Sequence, residues 1–250
     1  MAVNIDTVYQ KVLVIANKEQ RGYITPQEFN LFANQAQMDI FEQYFYDKNQ
    51  LDRLPGNETE HSDMIDLLDE KLDRFQVIGS AVASGTDLPV TPIIHRLGSI
   101  FYQTGANEPI IECQKISQKQ WSYIQAIPLA QPKESRPVYF TDGCVTTNNQ
   151  EECFVQVWGH DPNTGVTNQL ATGVTCNYIR RPTRVEWAYV VVNGYAQYNA
   201  TRSRFFELHP SEETNLVLKI LQLSGIVIKD PSLYQIAAQE EVKDIQQEKQ

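Results

Sequence analysis

The sequence predicts an α+β fold: a helical bundle built from both chain ends, with an antiparallel β lobe inserted between them. Three observations carry this. Apolar residues recur at helical spacing through residues 1–73. Between residues 74 and 205, Gly and Pro become regular punctuation separating short β-rich runs. From residue 206 the helical period returns. The expected organisation is therefore N-terminal helices over 1–73, the inserted lobe over 74–205, and C-terminal helices with a docking tail over 206–250.

In the first segment, Ile5, Val8, Tyr9, Val12, Leu13 and Ala16 lie on one helical face. Thr25-Pro26-Gln27-Glu28 is a helix start: Thr25 caps, Pro26 suits the first turn, and Glu28 reaches back to the cap amide. Phe29, Phe32, Ala33, Ala36, Ile40 and Tyr44 follow as a stripe that Phe41 and Phe45 widen, so this helix packs on two sides. After Pro55-Gly56-Asn57, an acidic helix places Met64, Leu67, Leu68 and Leu72 on one face. Asp63, Asp66, Asp69, Glu70 and Asp73 form a solvated face opposite.

The lobe offers strands at Phe75–Val82, Ile100–Thr104, Ile110–Cys113, Val138–Thr141, Cys153–Trp158, Val174–Ile179 and Val185–Val192. Asp161-Pro162-Asn163-Thr164-Gly165 reads as a turn, and a short helix fits Ser117–Ile124. Asn193-Gly194 between Tyr189–Val192 and Tyr195–Tyr198 is a two-residue hairpin signal. At the end, Leu216, Val217, Ile220, Leu221 and Leu223 define a helix closed by Gly225, and Asp230-Pro231 starts another. In that last helix the apolar positions Leu233, Ile236, Ala237, Val242 and Ile245 thin out. The polar tail Gln239–Gln250 carries too little apolar surface to order itself. It is expected to be an arm that docks on a neighbour.

The 250 residues suffice for one core, or for a core with an inserted lobe. No apolar run approaches the roughly 18 residues of a membrane span, and the first residues lack a signal-peptide pattern, so the expectation is a cytoplasmic product with no membrane association. The formal charge of −10 argues against binding a phosphate backbone by bulk attraction. The nearest basic cluster, Arg180-Arg181-Pro182-Thr183-Arg184, reads as a solvated or partner-facing loop. Cys113, Cys144, Cys153 and Cys176 show no metal spacing and are expected as reduced, buried thiols.

Signatures of chemistry are missing. There is no phosphate-cradling glycine loop and no nucleophile elbow. His61, His95, His160 and His209 are scattered, with His160 expected on a turn and His209 at a helix entrance. Glu151 and Glu152 are neighbours that a strand would point to opposite faces. The expectation is a protein with no catalytic residues, no metal and no cofactor. Tyr44, Phe45, Tyr46, Trp187, Tyr189, Tyr195 and Tyr198 fall near changes of structure and suit an assembly role, or ordinary core and strand pairing.

Three blocks resemble virion structural proteins of tailed bacteriophages, including crAss-like and marine short-tailed ones. The first runs through Val8-Tyr9-Gln10-Lys11 to Asn17-Lys18-Glu19-Gln20-Arg21-Gly22-Tyr23-Ile24-Thr25-Pro26-Gln27-Glu28-Phe29-Asn30. The second is Tyr178-Ile179-Arg180-Arg181-Pro182 with Val185-Glu186-Trp187-Ala188-Tyr189. The third is Phe206-Glu207-Leu208-His209-Pro210-Ser211-Glu212-Glu213-Thr214 with Gly225-Ile226-Val227-Ile228-Lys229-Asp230-Pro231. The resemblance implies a head-to-tail connector, or adaptor, subunit of the virion. Such a subunit sits in a ring, commonly of about twelve copies, between the portal protein and the tail proteins. DNA passes through the ring without sequence-specific binding, and an acidic wall lets it slide. A minor capsid or tail-wall protein is the nearest alternative; a carbohydrate-binding or hydrolytic β module on helices is another.

Interface candidates follow: Phe29, Phe32, Phe41 and Phe45 on the two-sided helix; Arg180, Arg181 and Arg184 in the basic loop; Trp187; and Leu233, Val242 and Ile245 on the tail.

Overall fold

The computed structural model describes residues 3–18, 24–51, 53, 59–82, 86–89, 92–105, 108–133, 135–147, 150–161 and 166–227. The expected helix after Asp230, the tail beyond it, and most of the 161–165 turn lie outside these residues.

The chain divides at 74/75 and 181/182 into two units. The first holds α1 (Ile5–Lys18), α2 (Pro26–Leu51), α3 (Thr59–Asp73), a hairpin described below, and α5 (Glu213–Val227). α5 packs on α1 and α2, and α3 packs on α2. The α2 start is the expected capping box: Thr25 Oγ1 accepts from the Glu28 amide at 3.3 Å, and the Glu28 carboxylate accepts from the Thr25 amide at 2.9 Å. The Thr25 hydroxyl also donates to that carboxylate at 2.7 Å, and this bond first, then the amide bond, holds the Glu28 carboxyl below its usual range. Tyr9 of α1 meets Phe29 of α2 edge-on at 4.7 Å, and both are buried. In α3, Leu72 is buried but Leu67 is 58% exposed. That helix therefore buries a narrower stripe than its apolar residues suggest. Lys71 pairs with Glu212 at 2.7 Å, and Asn215 donates to the same carboxylate at 2.9 Å. These bonds satisfy an acid that is almost fully buried.

The second unit, Phe75–Arg181, contains two four-stranded sheets. One runs in the order β1-β8-β2-β3, with β1 (Gln76–Ala81), β2 (Ile94–Tyr102), β3 (Ile111–Glu112) and β8 (Val174–Arg180). The other runs β4-β5-β6-β7, with β4 (Gln114–Lys115), β5 (Val138–Thr147), β6 (Gln150–Asp161) and β7 (Val166–Gln169). Alternate residues of both sheets fill one core: Ile100 and Tyr102, Val174, Cys176 and Tyr178, and Val155 and Val157. Tyr139 of β5 joins this core, while Val138 and Phe140 face the other way. There α4 (Gln118–Ala126) covers them with Trp121, which lies 4.7 Å from Trp158. A Cβ on Gly173, whose φ is +75°, would lie 2.2 Å from the Gln103 carbonyl, so only glycine allows this approach.

This is not the expected fold class. Among the described residues the protein is a mixed α/β structure with five α-helices and three sheets, and the helices do not form a bundle built from the two chain ends. Two physical reasons stand out. One long face of α2 carries amides rather than apolar groups, and an extended segment occupies it in place of a helix. The strand-rich unit is itself mixed, because β4 and β5 run parallel and α4 caps the second sheet. Residues 182–205, expected in the lobe, fall in the same unit as the helices.

The cysteines also depart from expectation. Cys144 and Cys153 face each other across β5 and β6 and form a disulfide. Cys113 and Cys176 are buried free thiols, and burial pushes them up to about 12 and about 11 respectively. At pH 8 neither supplies appreciable thiolate, so both should resist alkylation of the folded chain. Cys144 and Cys153 should become alkylated under native conditions only after a reductant is added. Peptide mass mapping with and without reductant checks this. Labelling of Cys144 without reductant would show the pair open.

Candidate assembly surface

Among the described residues the feature that offers itself most plainly is a hairpin in the first unit, rooted on an aromatic cluster. It begins with an extended segment, Thr183 to Ala188, held on both sides. On one side α2 presents three side-chain amides at positions 30, 34 and 37, on one helical face. Asn30 accepts from the Trp187 amide at 2.8 Å and donates to the Trp187 carbonyl at 3.2 Å. Asn34 does the same for Val185, at 3.0 and 2.9 Å. Gln37 donates to the Thr183 carbonyl at 2.8 Å and accepts from the Glu207 amide at 3.3 Å, while the Glu207 carboxylate accepts from the Thr183 amide at 2.9 Å.

The spacing explains why this works. Seven residues of helix rise roughly 10 Å, close to the roughly 13 Å spanned by four residues of extended chain. The amides thus stand in for a neighbouring β-strand. On the segment's other side, Glu186 pairs with Arg204 through both backbone groups, and Ala188 bonds Asn199 and Ser203. Alternate residues therefore send their backbone groups to alternate sides.

The segment delivers Trp187, 4% exposed, into a cluster with Tyr9 at 4.3 Å. Its indole N–H donates to Asp6 at 3.0 Å. Tyr189 and Tyr198 stack on the same ring at 5.9 and 5.8 Å. These two tyrosines are the ends of the hairpin: β9 (Tyr189–Val192) and β10 (Tyr195–Tyr198), paired from Val192↔Tyr195 to Tyr189↔Tyr198. Asn193 at φ 52° and Gly194 at φ 82° make the tight turn that the Asn-Gly dipeptide predicts. The two strands form a sheet of their own. Val191 is 64% exposed and Tyr195 76%, with Val190 and Val192 also exposed. No charged residue occurs from Trp187 to Thr201.

The other expected interface residues fall out unevenly. Phe29 and Phe41 are fully buried in their own unit, so the helices around α2 use up much of its broad apolar surface; Phe32 and Phe45 are half-buried. Trp187 is a root rather than a contact. Arg184 is exposed in the first unit. Arg180 and Arg181 belong to the second, where Arg180 is half-buried over the Phe75 ring at 5.7 Å and Arg181 is exposed. Leu233, Val242 and Ile245 lie outside the described residues. The asymmetric use of Asn30, Asn34 and Gln37 was missed. Their 4- and 3-residue spacing was the available signal, but it also describes any solvated helical face.

A cleft of about 640 Å³ lies in the second unit between Glu108, Gln131, Lys133, Ser135, His160 and Thr167. His160 is a β6 residue there, not a turn residue as expected; His209 does sit at a helix entrance, accepting from the Ser211 amide at 3.3 Å. No Phe, Tyr or Trp lines the cleft among the described residues. No group of His, Cys, Asp or Glu among them comes together as a metal site, and no helix among them is long and apolar enough to cross a membrane. Neither the models of known protein families nor the curated proteins give a match to this chain.

Proposed function

We propose that this chain is a non-enzymatic structural subunit of a phage head-to-tail connector ring, joining the portal to the tail and lining the channel through which DNA leaves the head. The observation that carries the reading is the charge-free, exposed hairpin fixed on a buried aromatic root. A side chain as apolar as Val191 left in solvent is ordinary; a strand pair offering several of them, with neither edge paired among the described residues, suits assembly. The three sequence blocks that resemble virion structural proteins of tailed bacteriophages support the same class. The charge of −10 suits a channel wall that DNA must pass without sticking. In this reading the chain acts on no substrate, and its partners are copies of itself, the portal protein and the tail proteins.

The test is reconstitution with the portal, read by native mass spectrometry and class averages. A closed ring of this chain seated on the portal is expected. The tail Gln239–Gln250 should matter there: deleting it should leave far-ultraviolet circular dichroism unchanged and weaken the seating sharply. A full-length chain that never joins portal particles would overturn the proposal.

A further inference from the structure

We propose that the β9–β10 hairpin joins the same hairpin of a second copy edge to edge, head to tail, with β9 of one copy pairing with β10 of the next. This rests on the ring reading above and names the surface that would close the ring.

The backbone geometry leads there. In a hairpin with a two-residue turn, the pair that closes the turn exchanges both hydrogen bonds, and the next pair exchanges none. Here the closing pair is Val192↔Tyr195, and the next is Val191↔Ala196. The N–H and C=O of Val191 therefore point out of the β9 edge, and those of Ala196 point out of the β10 edge. Neither strand has a second partner among the described residues.

A single chain usually blunts such edges with Lys, Pro or a bulge. This one has none: Tyr189 to Tyr198 holds no charge and no proline, and the pairing is regular. Three consecutive valines favour strand pairing.

Three features select a second copy as the occupant. The two open edges lie on one two-stranded sheet and run in opposite directions, so the β10 edge of one hairpin is the antiparallel complement of the β9 edge of the next. Two different surfaces on one chain are what a head-to-tail ring requires, and closing the ring removes every edge. Copies that each carry −10 repel one another, and the hairpin lets them meet where no like charges face across the contact. The aromatic root keeps the edges in place: Tyr189 and Tyr198 are both stacked on Trp187, so little ordering is needed on contact.

Two variants of the full chain test this. Val191→Pro removes an outward N–H at the middle of the β9 edge, and Ala196→Pro one on the β10 edge, so neither deletes a bond inside the hairpin. Native mass spectrometry should find wild-type assemblies at multiples of 28.6 kDa and each variant alone at 28.6 kDa. An equimolar mixture should form pairs and stop there, because each variant keeps the edge that the other lacks. Pairing in the mixture also shows that both hairpins are intact. The proposal is overturned if the wild type stays at 28.6 kDa at every concentration, if either variant assembles like the wild type, or if the mixture yields no pairs. Variants that still close into rings would sink the hairpin contact and leave the connector reading standing. A wild type that stops at two copies, with only one of the two variants losing the pairing, would show a symmetric dimer and sink both.

Discussion

Replacing Trp187 with Ala is expected to destabilise the first unit by about 3–5 kcal/mol, the usual cost of emptying a large aromatic site in a packed interior. The indole is 4% exposed and touches three rings: Tyr9 at 4.3 Å, Tyr189 at 5.9 Å and Tyr198 at 5.8 Å. These come from α1 and both hairpin strands, so no single neighbour can move in to fill the space. The N–H···Asp6 bond adds little to the cost, because Asp6 is near solvent and water replaces the donor. Trp187→Phe should therefore recover most of the loss. For a unit of this size each kcal/mol lowers the melting temperature by about 2–4 °C, so Trp187→Ala should melt roughly 10 °C early. Self-association should fail well below that temperature, since Tyr189 and Tyr198 lose the surface that orients the two edges. Thermal melts and native mass spectra of the same samples separate the effects. A variant within about 1 kcal/mol of the wild type would show the cluster to be loosely packed and the hairpin to be rooted elsewhere.

How far the sequence spoke depended on the range of the interaction. The Thr25–Glu28 box and the Asn193-Gly194 turn were legible because each is decided within four residues. The strands at Val138, Cys153 and Val174 were legible because alternate residues enter one core. The overall class was not, because it turns on partners distant in the chain. Asn34 and Val185 are 151 positions apart, and nothing near Asn34 tells an amide facing water from one facing a carbonyl. The same limit hid the parallel β4–β5 pair, two residues long, and the division of Arg180 and Arg181 from Arg184.

The disulfide is the instructive intermediate. Counting back from Thr147↔Gln150, the register places Cys144 opposite Cys153. A hairpin turn at Asn148-Asn149 would have given that pairing from sequence alone, had the strand at Val138 been extended past Thr141. Asp142-Gly143 follows directly on the expected end at Thr141. The glycine, at φ +108°, introduces a bulge rather than an end. The apolar breadth of α2 has a partner within the chain as well: α3 and α5 pack on this helix, and Tyr9 of α1 meets Phe29, while Phe32 and Phe45 stay half-buried.

Asn34→Leu is expected to cost about 2–6 kcal/mol, although it keeps the size of the side chain and raises helix propensity. The change removes the Asn34 partner from two backbone groups, the N–H and C=O of Val185, in a part-buried site. Each group left without a partner costs roughly 1–3 kcal/mol, more than the bond itself contributed. Asn30→Leu does the same to Trp187. The two should not add: once one amide is lost and the extended segment lifts, the other has less to hold, so the double variant should cost less than the sum. Gln35 offers a control on the same helix, since its exposed amide bonds only along α2, to Asp39 at 2.7 Å. Gln35→Leu should stay within about 0.5 kcal/mol of the wild type. Urea unfolding of the four variants decides it. If Asn34→Leu proves as mild as Gln35→Leu, the extended segment is held by its Glu186–Arg204 side and by Trp187 packing, and the amides of α2 merely accompany it.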